Sequence, residues 1–394
     1  MHKENFNKQK VRLVSFLSFL LGFLDAFLIY ILSSYFALAT GSDNVGIFYF
    51  VAYSGFLFLL FYLQPLIRLI GKARALYLVL GIAILSGVFL ARMPITWFSI
   101  GVVLIFIIAK QSIWVVLDIF LESFSKDKIS GRIRGFYLTV MNAGLLLAPF
   151  LSTLTLERFH YQGVFFVLIL GYITVFLIAL IGFRNDNAVF QGKIRLRQTF
   201  ITMMRKKNLF HIYHISFAMN FFYAMMIIYT PLYLRSLDFS WSEIGIIFTI
   251  MLLPFVFLQY PLGVLADKRL GEKELLIGSI IVTAVITFAL GFLGKQTLFV
   301  WAAALFMTRV GIAGIEVLRD SYFYKQIDGD HMDIIAFFRT ATPAANIVGA
   351  LFSAILLLFF PLKSIFILAS LALFLSLFSA FLLKDTESER EIRV

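Results

Sequence analysis

The sequence predicts an all-α integral membrane chain: twelve transmembrane helices in two pseudo-symmetric six-helix bundles. Three observations carry this reading. The chain has 394 residues, of which 61% are hydrophobic and only 14% charged, with a mean hydropathy of +0.93, outside the range of soluble globular domains. Apolar runs long enough to cross a bilayer recur along its length. A charged apolar helix also occurs twice, once with Asp118 and Glu122 and once with Glu316 and Asp320, which points to a duplicated membrane unit with a polar interior.

Taken in order, the first six spans read at 12–39, 45–67, 75–92, 97–122, 135–157 and 162–183. After a polar interval, six more read at 209–235, 243–266, 274–293, 297–320, 334–359 and 363–383. Each is about twenty residues, the length a helix needs at 1.5 Å per residue. The domains are therefore an N-terminal bundle at 1–183, a linker at 184–208, and a C-terminal bundle with a short tail at 209–394. In the linker, Arg195, Arg197, Arg205, Lys206 and Lys207 alternate with Leu196, Phe200, Ile201 and Met204, the pattern of a basic amphipathic helix lying on a membrane surface. The apolar run after the basic N-terminus is too long for a signal-peptide core and reads as the first span.

Charge sets the expected orientation. With the N-terminus in the cytoplasm, Lys3, Lys8, Lys10, Arg68, Lys72, Arg74, Lys126, Lys128, Arg132, Arg134, Lys268, Arg269 and Lys273 fall on one side. The other side receives only Arg92, Arg158, Arg235, Lys295 and Lys363. The positive-inside rule then places both termini in the cytoplasm; the expected membrane is a bacterial inner membrane. The net charge of +12 comes in short clusters between apolar spans, which suits anionic lipid and not a nucleic-acid-reading face. With no cysteine, disulfides and thiolate metal centres are excluded. The histidines lack metal-site spacing, and His211 and His214 read as interfacial polar residues.

Charge inside the spans is where function is sought. An ionised side chain at mid-membrane costs about 2.5–3.5 kcal/mol or more, so such groups usually face a protein interior. Asp25 lies midway along the first span and Lys110 midway along the fourth; Arg309 and Glu316 lie on the tenth. A buried ion pair that only orients helices and a proton-exchanging pair are the two readings of Asp25 and Lys110. Arg319 and Arg339, near span ends, read as snorkelling cations.

The loop between the eighth and ninth spans runs Gly263, Asp267, Lys268, Arg269, Gly271, Lys273. This G-x3-D-[RK]-x-x-G-x-[RK] pattern resembles the signature loop of the major facilitator superfamily, and the twelve spans with a basic central loop extend the resemblance over nearly the whole chain. The first half keeps Gly71, Lys72 and Arg74 but has Arg68, and no acid, ahead of the glycine. The fifth span, with Gly135, Gly144, Ala148, Pro149, Ser152 and Thr153, is similar to the family's antiporter motif. Its small residues permit close helix contact and its proline a kink.

The resemblance implies a secondary active transporter, not an enzyme. It would move a small molecule by alternating access, with proton coupling and a lean to antiport and efflux, without a cofactor or metal, driven by a proton gradient. An uncoupled facilitative permease and a nontransporting membrane receptor on the same fold are the alternatives. A nucleic-acid partner is not expected; membrane lipids are, and the chain is expected to be a monomer. Asp25, Lys110, Arg309 and Glu316 become the charge set of a central cavity. Arg309 resembles the family's intramembrane arginine, and a substrate-anion contact and an internal partner for Glu316 both stay open for it. A cytoplasmic latch would use Gly263, Asp267, Lys268, Arg269, Gly271 and Lys273 with Asp118, Glu122 and Asp320. In that latch Gly263 permits a close helix approach and Gly271 a tight turn. Tyr30, Asn142, Asn220, Tyr223, Tyr229 and Asn346 are the candidate substrate contacts.

Overall fold

The computed structural model describes residues 8–124, 144–184, 206–266, 271–326, 334 and 337–384. Secondary structure among them is helical: α1 (Lys8–Ile29), α2 (Leu32–Thr40), α3 (Gly46–Ile70), α4 (Lys72–Arg92), α5 (Trp97–Phe124) and α6 (Ala148–Gly182) in the first half. The second half has α7 (Lys207–Ser236), α8 (Trp241–Phe257), α9 (Gln259–Leu265), α10 (Glu272–Leu290), α11 (Leu298–Lys325), α12 (Ala341–Leu356) and α13 (Ser364–Leu382). Nine candidate membrane spans among the described residues are long and apolar enough to cross a bilayer. The chain divides into two compact units, Met1–Gly192 and Lys193–Val394.

Local chemistry explains how thirteen helices give twelve spans. The first span breaks at Tyr30 and Ile31 into α1 and α2. Tyr161 Oη donates to the Ile31 carbonyl at 3.4 Å, beside the Tyr35 N–H that opens α2 on the same oxygen at 3.3 Å, so a side chain of α6 also holds the break. His160 has φ 55° inside α6, a region L-residues seldom occupy; it separates the fifth span from the sixth. The fifth span is also interrupted at residues 146–147, and Pro149 then sits in the first turn of α6, where a missing N–H costs nothing. The eighth span divides at Leu258 into α8 and α9. Ser240 and Glu243 form a reciprocal cap at the start of α8: Ser240 N donates to Glu243 Oε2 at 2.7 Å, and Glu243 N donates to Ser240 Oγ at 3.2 Å.

Two boundaries differ from the sequence reading for evident reasons. The eleventh span was expected from 334, yet α12 begins at Ala341, and Pro343 is accommodated in its first turn. α11 continues past 320 to Lys325, because its charged residues find partners within the second unit. The basic linker helix, together with Gly135 of the fifth span, lies outside the described residues.

Each unit repeats one internal packing scheme. In the first, α4 packs on α5 and α6, α1 on α6, and α3 on α5; in the second, α10 packs on α11 and α13, α7 on α13, and α8 on α11. Span for span, these adjacencies correspond. The chain enters α4 through Gly71 (φ 87°) and α10 through Gly271 (φ 70°), left-handed positions where glycine is unstrained. The duplication read from the charged helices is thus present in the topology of both halves.

Candidate functional site

In the first unit, α1 and α5 bring Asp25 and Lys110 into direct ion pairing. Lys110 is buried and Asp25 only partly exposed, so each supplies the counter-charge the other needs away from water. Two phenols that the sequence reading passed over complete the surroundings. Tyr53 of α3 hydrogen-bonds with Gln111, the residue after Lys110, and lies within electrostatic range of Asp25. Tyr172 of α6 lies within the same range and stands edge-on to Phe106 at 5.7 Å between ring centroids. One carboxylate, one ammonium and two hydroxyls thus gather from four helices of a largely apolar bundle.

The second unit arranges its charges differently. Arg309 of α11 is 1% exposed. Its guanidinium lies over the rings of Phe222 and Tyr223 on α7, 5.3 and 5.5 Å from their centroids, and its Nε and Nη1 have no hydrogen-bond partner among the described residues. Glu316, two turns along, accepts a hydrogen bond from Gln259 Nε2 of α9 at 2.9 Å. The seventh and tenth spans therefore meet through a cation and aromatic rings, where the first and fourth meet through an ion pair.

Arg319 does not snorkel. It is buried, donates from Nη1 to Ser216 Oγ of α7 at 3.0 Å, and pairs with Asp320 at 2.6 Å. Its guanidinium also lies 5.5 Å from the Phe338 ring centroid. Three kinds of partner inside the unit outcompete hydration at the membrane edge. Arg339 is exposed.

Of the latch residues, Asp267, Lys268 and Arg269 lie outside the described residues, as does the side chain of Glu122. Asp320 is engaged by its neighbour Arg319, and Asp118 is half-buried on α5. The acid at this end of the second unit is one the sequence reading missed. Glu272 follows Gly271 and is fully buried; it pairs with Lys325 at 2.5 Å and accepts from Ser321 Oγ at 2.8 Å, joining the start of α10 to the end of α11. At the corresponding place in the first unit stands Lys72, also buried, with its ammonium 5.2 Å from the Phe120 ring centroid. Lys273 is half-buried one residue beyond.

The close approach expected at Gly263 is a correction. A Cβ there would meet only Val317 Cγ2, at an ordinary 3.7 Å, because the eighth span has broken one turn earlier. The crowded glycines are on α11. At Gly311 a Cβ would come within 2.7 Å of the Ser279 carbonyl oxygen, and at Gly314 within 3.1 Å of Ser279 Cβ, so it is α10 and α11 that need them.

The candidate substrate contacts scatter. Tyr229 is buried and bonds to Ser353 Oγ at 2.8 Å, tying α7 to α12. Asn220 donates to the Ser216 carbonyl on its own helix at 2.8 Å. Tyr30 is buried at the α1–α2 break, Asn346 is half-buried on α12, Tyr223 lies beneath Arg309, and Asn142 falls outside the described residues. His211 and His214 both reach Ser379 Oγ, at 3.3 and 2.9 Å. No group of three or more acidic or histidine side chains suited to a metal occurs among the described residues.

With this geometry in view, the likenesses to known proteins can be placed. Solved structures resemble the fold over almost its whole length. A peptide transporter POT in complex with sulfate matches with a TM-score of 0.69 at 12% identity, covering 95% of this chain and 93% of the other. A bacterial metal transporter matches at 0.67 and 13%, covering 96% and 99%. A bacterial homologue of the iron transporter ferroportin, in its inward-facing state, matches at 0.69 and 12%, covering 95% and 98%. At such identities the likeness is one of fold. A search of curated proteins found no match. The sequence itself matches the Major Facilitator Superfamily over residues 14–242 and again over 234–393, once for each half. This chain, an integral membrane transport protein of twelve spans, belongs to the Major Facilitator Superfamily.

Proposed function

We propose that the chain is a secondary active transporter that moves a small molecule by alternating access and couples this movement to protons through Asp25 and Lys110. The observation that carries the reading is the ion pair itself. Two charges held between α1 and α5, with Tyr53 and Tyr172 beside them, are costly in a membrane bundle. Proton exchange at Asp25 would release Lys110, so the protonation state would select how α1 and α5 pack. Such a two-state element is what coupling requires.

The direction we favour is antiport with efflux, supported by the small-residue surface of the fifth span. A Cβ at Gly144 would run into the Phe19 carbonyl of α1, and Ser152 and Thr153 are buried, both hydroxyls donating to the Pro149 carbonyl. Small side chains here permit close packing on the helix that bears Asp25. We place both termini in the cytoplasm from the distribution of basic loops, and the membrane as a bacterial inner membrane. Domain limits of 1–183 and 209–394, with a basic linker between, complete the proposal.

The test is reconstitution into liposomes loaded with a pH-sensitive dye, followed by a panel of small molecules under an imposed proton gradient. At least one compound should move protons with the wild-type chain and none with Asp25→Asn. Solute movement with a silent dye would make the protein an uncoupled permease. Movement of neither solute nor proton would favour a receptor on this fold.

A further inference from the structure

We propose that Arg309 is the anion-holding site of this carrier, binding a carboxylate or phosphate group of the transported solute. The inference rests on the transporter reading and adds the solute's chemical class to it. A guanidinium presents donors in its plane and a cationic face above and below. Phe222 and Tyr223 attend to the face, with centroids 5.3 and 5.5 Å away, a stabilising contact for a cation removed from water. They leave the plane unserved: Nε and Nη1 have no hydrogen-bond partner among the described residues, although the residue is 1% exposed.

Leaving charged donors unpaired in a buried site costs more than leaving neutral ones so, and the cost is recovered when an acceptor arrives. Within the protein Glu316 lies within electrostatic range of Arg309, but its carboxylate accepts from Gln259 at 2.9 Å and makes no hydrogen bond to Arg309 Nε or Nη1. Arg319, by contrast, is fully equipped, with Ser216 and Asp320 as acceptors. The first unit underlines the difference. Its span-four cation, Lys110, is ion-paired with a carboxylate at Asp25. The span-ten cation has rings over its face and Glu316 within electrostatic range, with no acceptor on Nε or Nη1 among the described residues. A planar oxyanion from outside the chain satisfies both requirements at once, charge and in-plane acceptors. A neutral solute can offer an acceptor but not the compensating charge.

The experiment uses the full chain in neutral detergent and reads its unfolding temperature with benzoate, succinate, citrate and inorganic phosphate, each organic acid beside its uncharged amide. We expect at least one anion to raise the unfolding temperature of the wild type by several degrees, and its amide to leave it unchanged. Arg309→Gln should abolish the shift. Arg309→Lys, which keeps the charge but not the planar fork, should weaken the anion's apparent affinity at least tenfold and provides the comparison if the glutamine variant does not fold. The assignment is overturned if no anion stabilises the wild type, or if the variants respond as the wild type does. It is equally overturned if phosphatidylglycerol alone gives an Arg309-dependent shift, since the acceptor is then a lipid phosphate. Failure of the transporter reading would show separately, as absence of dye-reported or solute flux in liposomes while the anion shift in detergent persists.

Discussion

Lys110 on α5 and Asp25 on α1 close an ion pair inside the first unit, with the lysine side chain 7% and the aspartate 24% exposed. Removing one partner leaves the other without its counter-charge. Asp25→Asn strands the buried Lys110 and should lower stability by about 3–5 kcal/mol, the usual cost of an uncompensated buried charge; Lys110→Ala leaves a partly exposed Asp25 and should cost less. The double variant Asp25→Asn with Lys110→Gln should recover most of that loss, because no charge is left behind. Thermal unfolding of the purified protein in detergent reads all three. A double variant that folds well and still fails to move protons would separate the coupling role from the structural one.

The glycines of α11 make a second, sharper test of packing. Gly311→Ala should cost about 1–3 kcal/mol, the range for overpacking a filled site, since its methyl would meet the Ser279 carbonyl oxygen and Thr283. Gly263→Ala should be close to neutral, with only Val317 nearby at 3.7 Å. Comparable unfolding temperatures for the two variants would mean that α10 and α11 are not packed this closely.

Glu272 offers a third. Its carboxylate is buried while Lys325 remains 39% exposed, so the pair is worth less than a fully buried one. Lys325→Met should destabilise by about 1–3 kcal/mol, discounted for solvent screening of the exposed partner. Glu272→Gln should cost less, because an amide oxygen can still accept from Ser321 and no buried charge is left. The ordering of the two variants in a chemical or thermal melt is the readout.

Outside the membrane, Asp238 in the turn after α7 gives a pH-dependent prediction. The Lys295 ammonium, donating to its carboxylate at 2.8 Å, holds its pKa below the ordinary value. A depressed folded-state pKa means stability that is present above the unfolded pKa, near 3.9, and lost as pH falls through the lower folded value. Lys295→Met should raise the Asp238 midpoint towards the ordinary range in a carboxylate NMR titration. Because both groups are exposed, unfolding at neutral pH should barely change.

How far the sequence could be read follows from what each signal encodes. Span number and the duplication were legible because hydropathy has the length scale of the bilayer and because Asp118/Glu122 and Glu316/Asp320 repeat. Relative level was legible too: Asp25 and Lys110, counted in from opposite ends, were placed side by side, and they meet. Direction around the helix axis was not. Arg319 was read as snorkelling because its distance from the span end allowed it; its true course is set by Ser216, more than a hundred residues away. Gly263 drew attention through its motif, whereas Gly311 and Gly314 sit in no motif and are identified only by what packs on them. Glu272 looked like an ordinary loop acid beside Gly271, and nothing local reveals that Lys325 and Ser321 enclose it. Tyr53 and Tyr172 were lost among many aromatics for the same reason.

The central claim is that polar groups on these spans meet water first from one side of the membrane and then from the other. The absence of native cysteine allows this to be read at one position: Asn346→Cys on α12, probed with a membrane-impermeant thiol reagent in right-side-out and in inverted vesicles. The account predicts labelling from both faces, with an imposed proton gradient or added solute raising one rate and lowering the other. Labelling confined to a single face under every condition, or to neither, would contradict it.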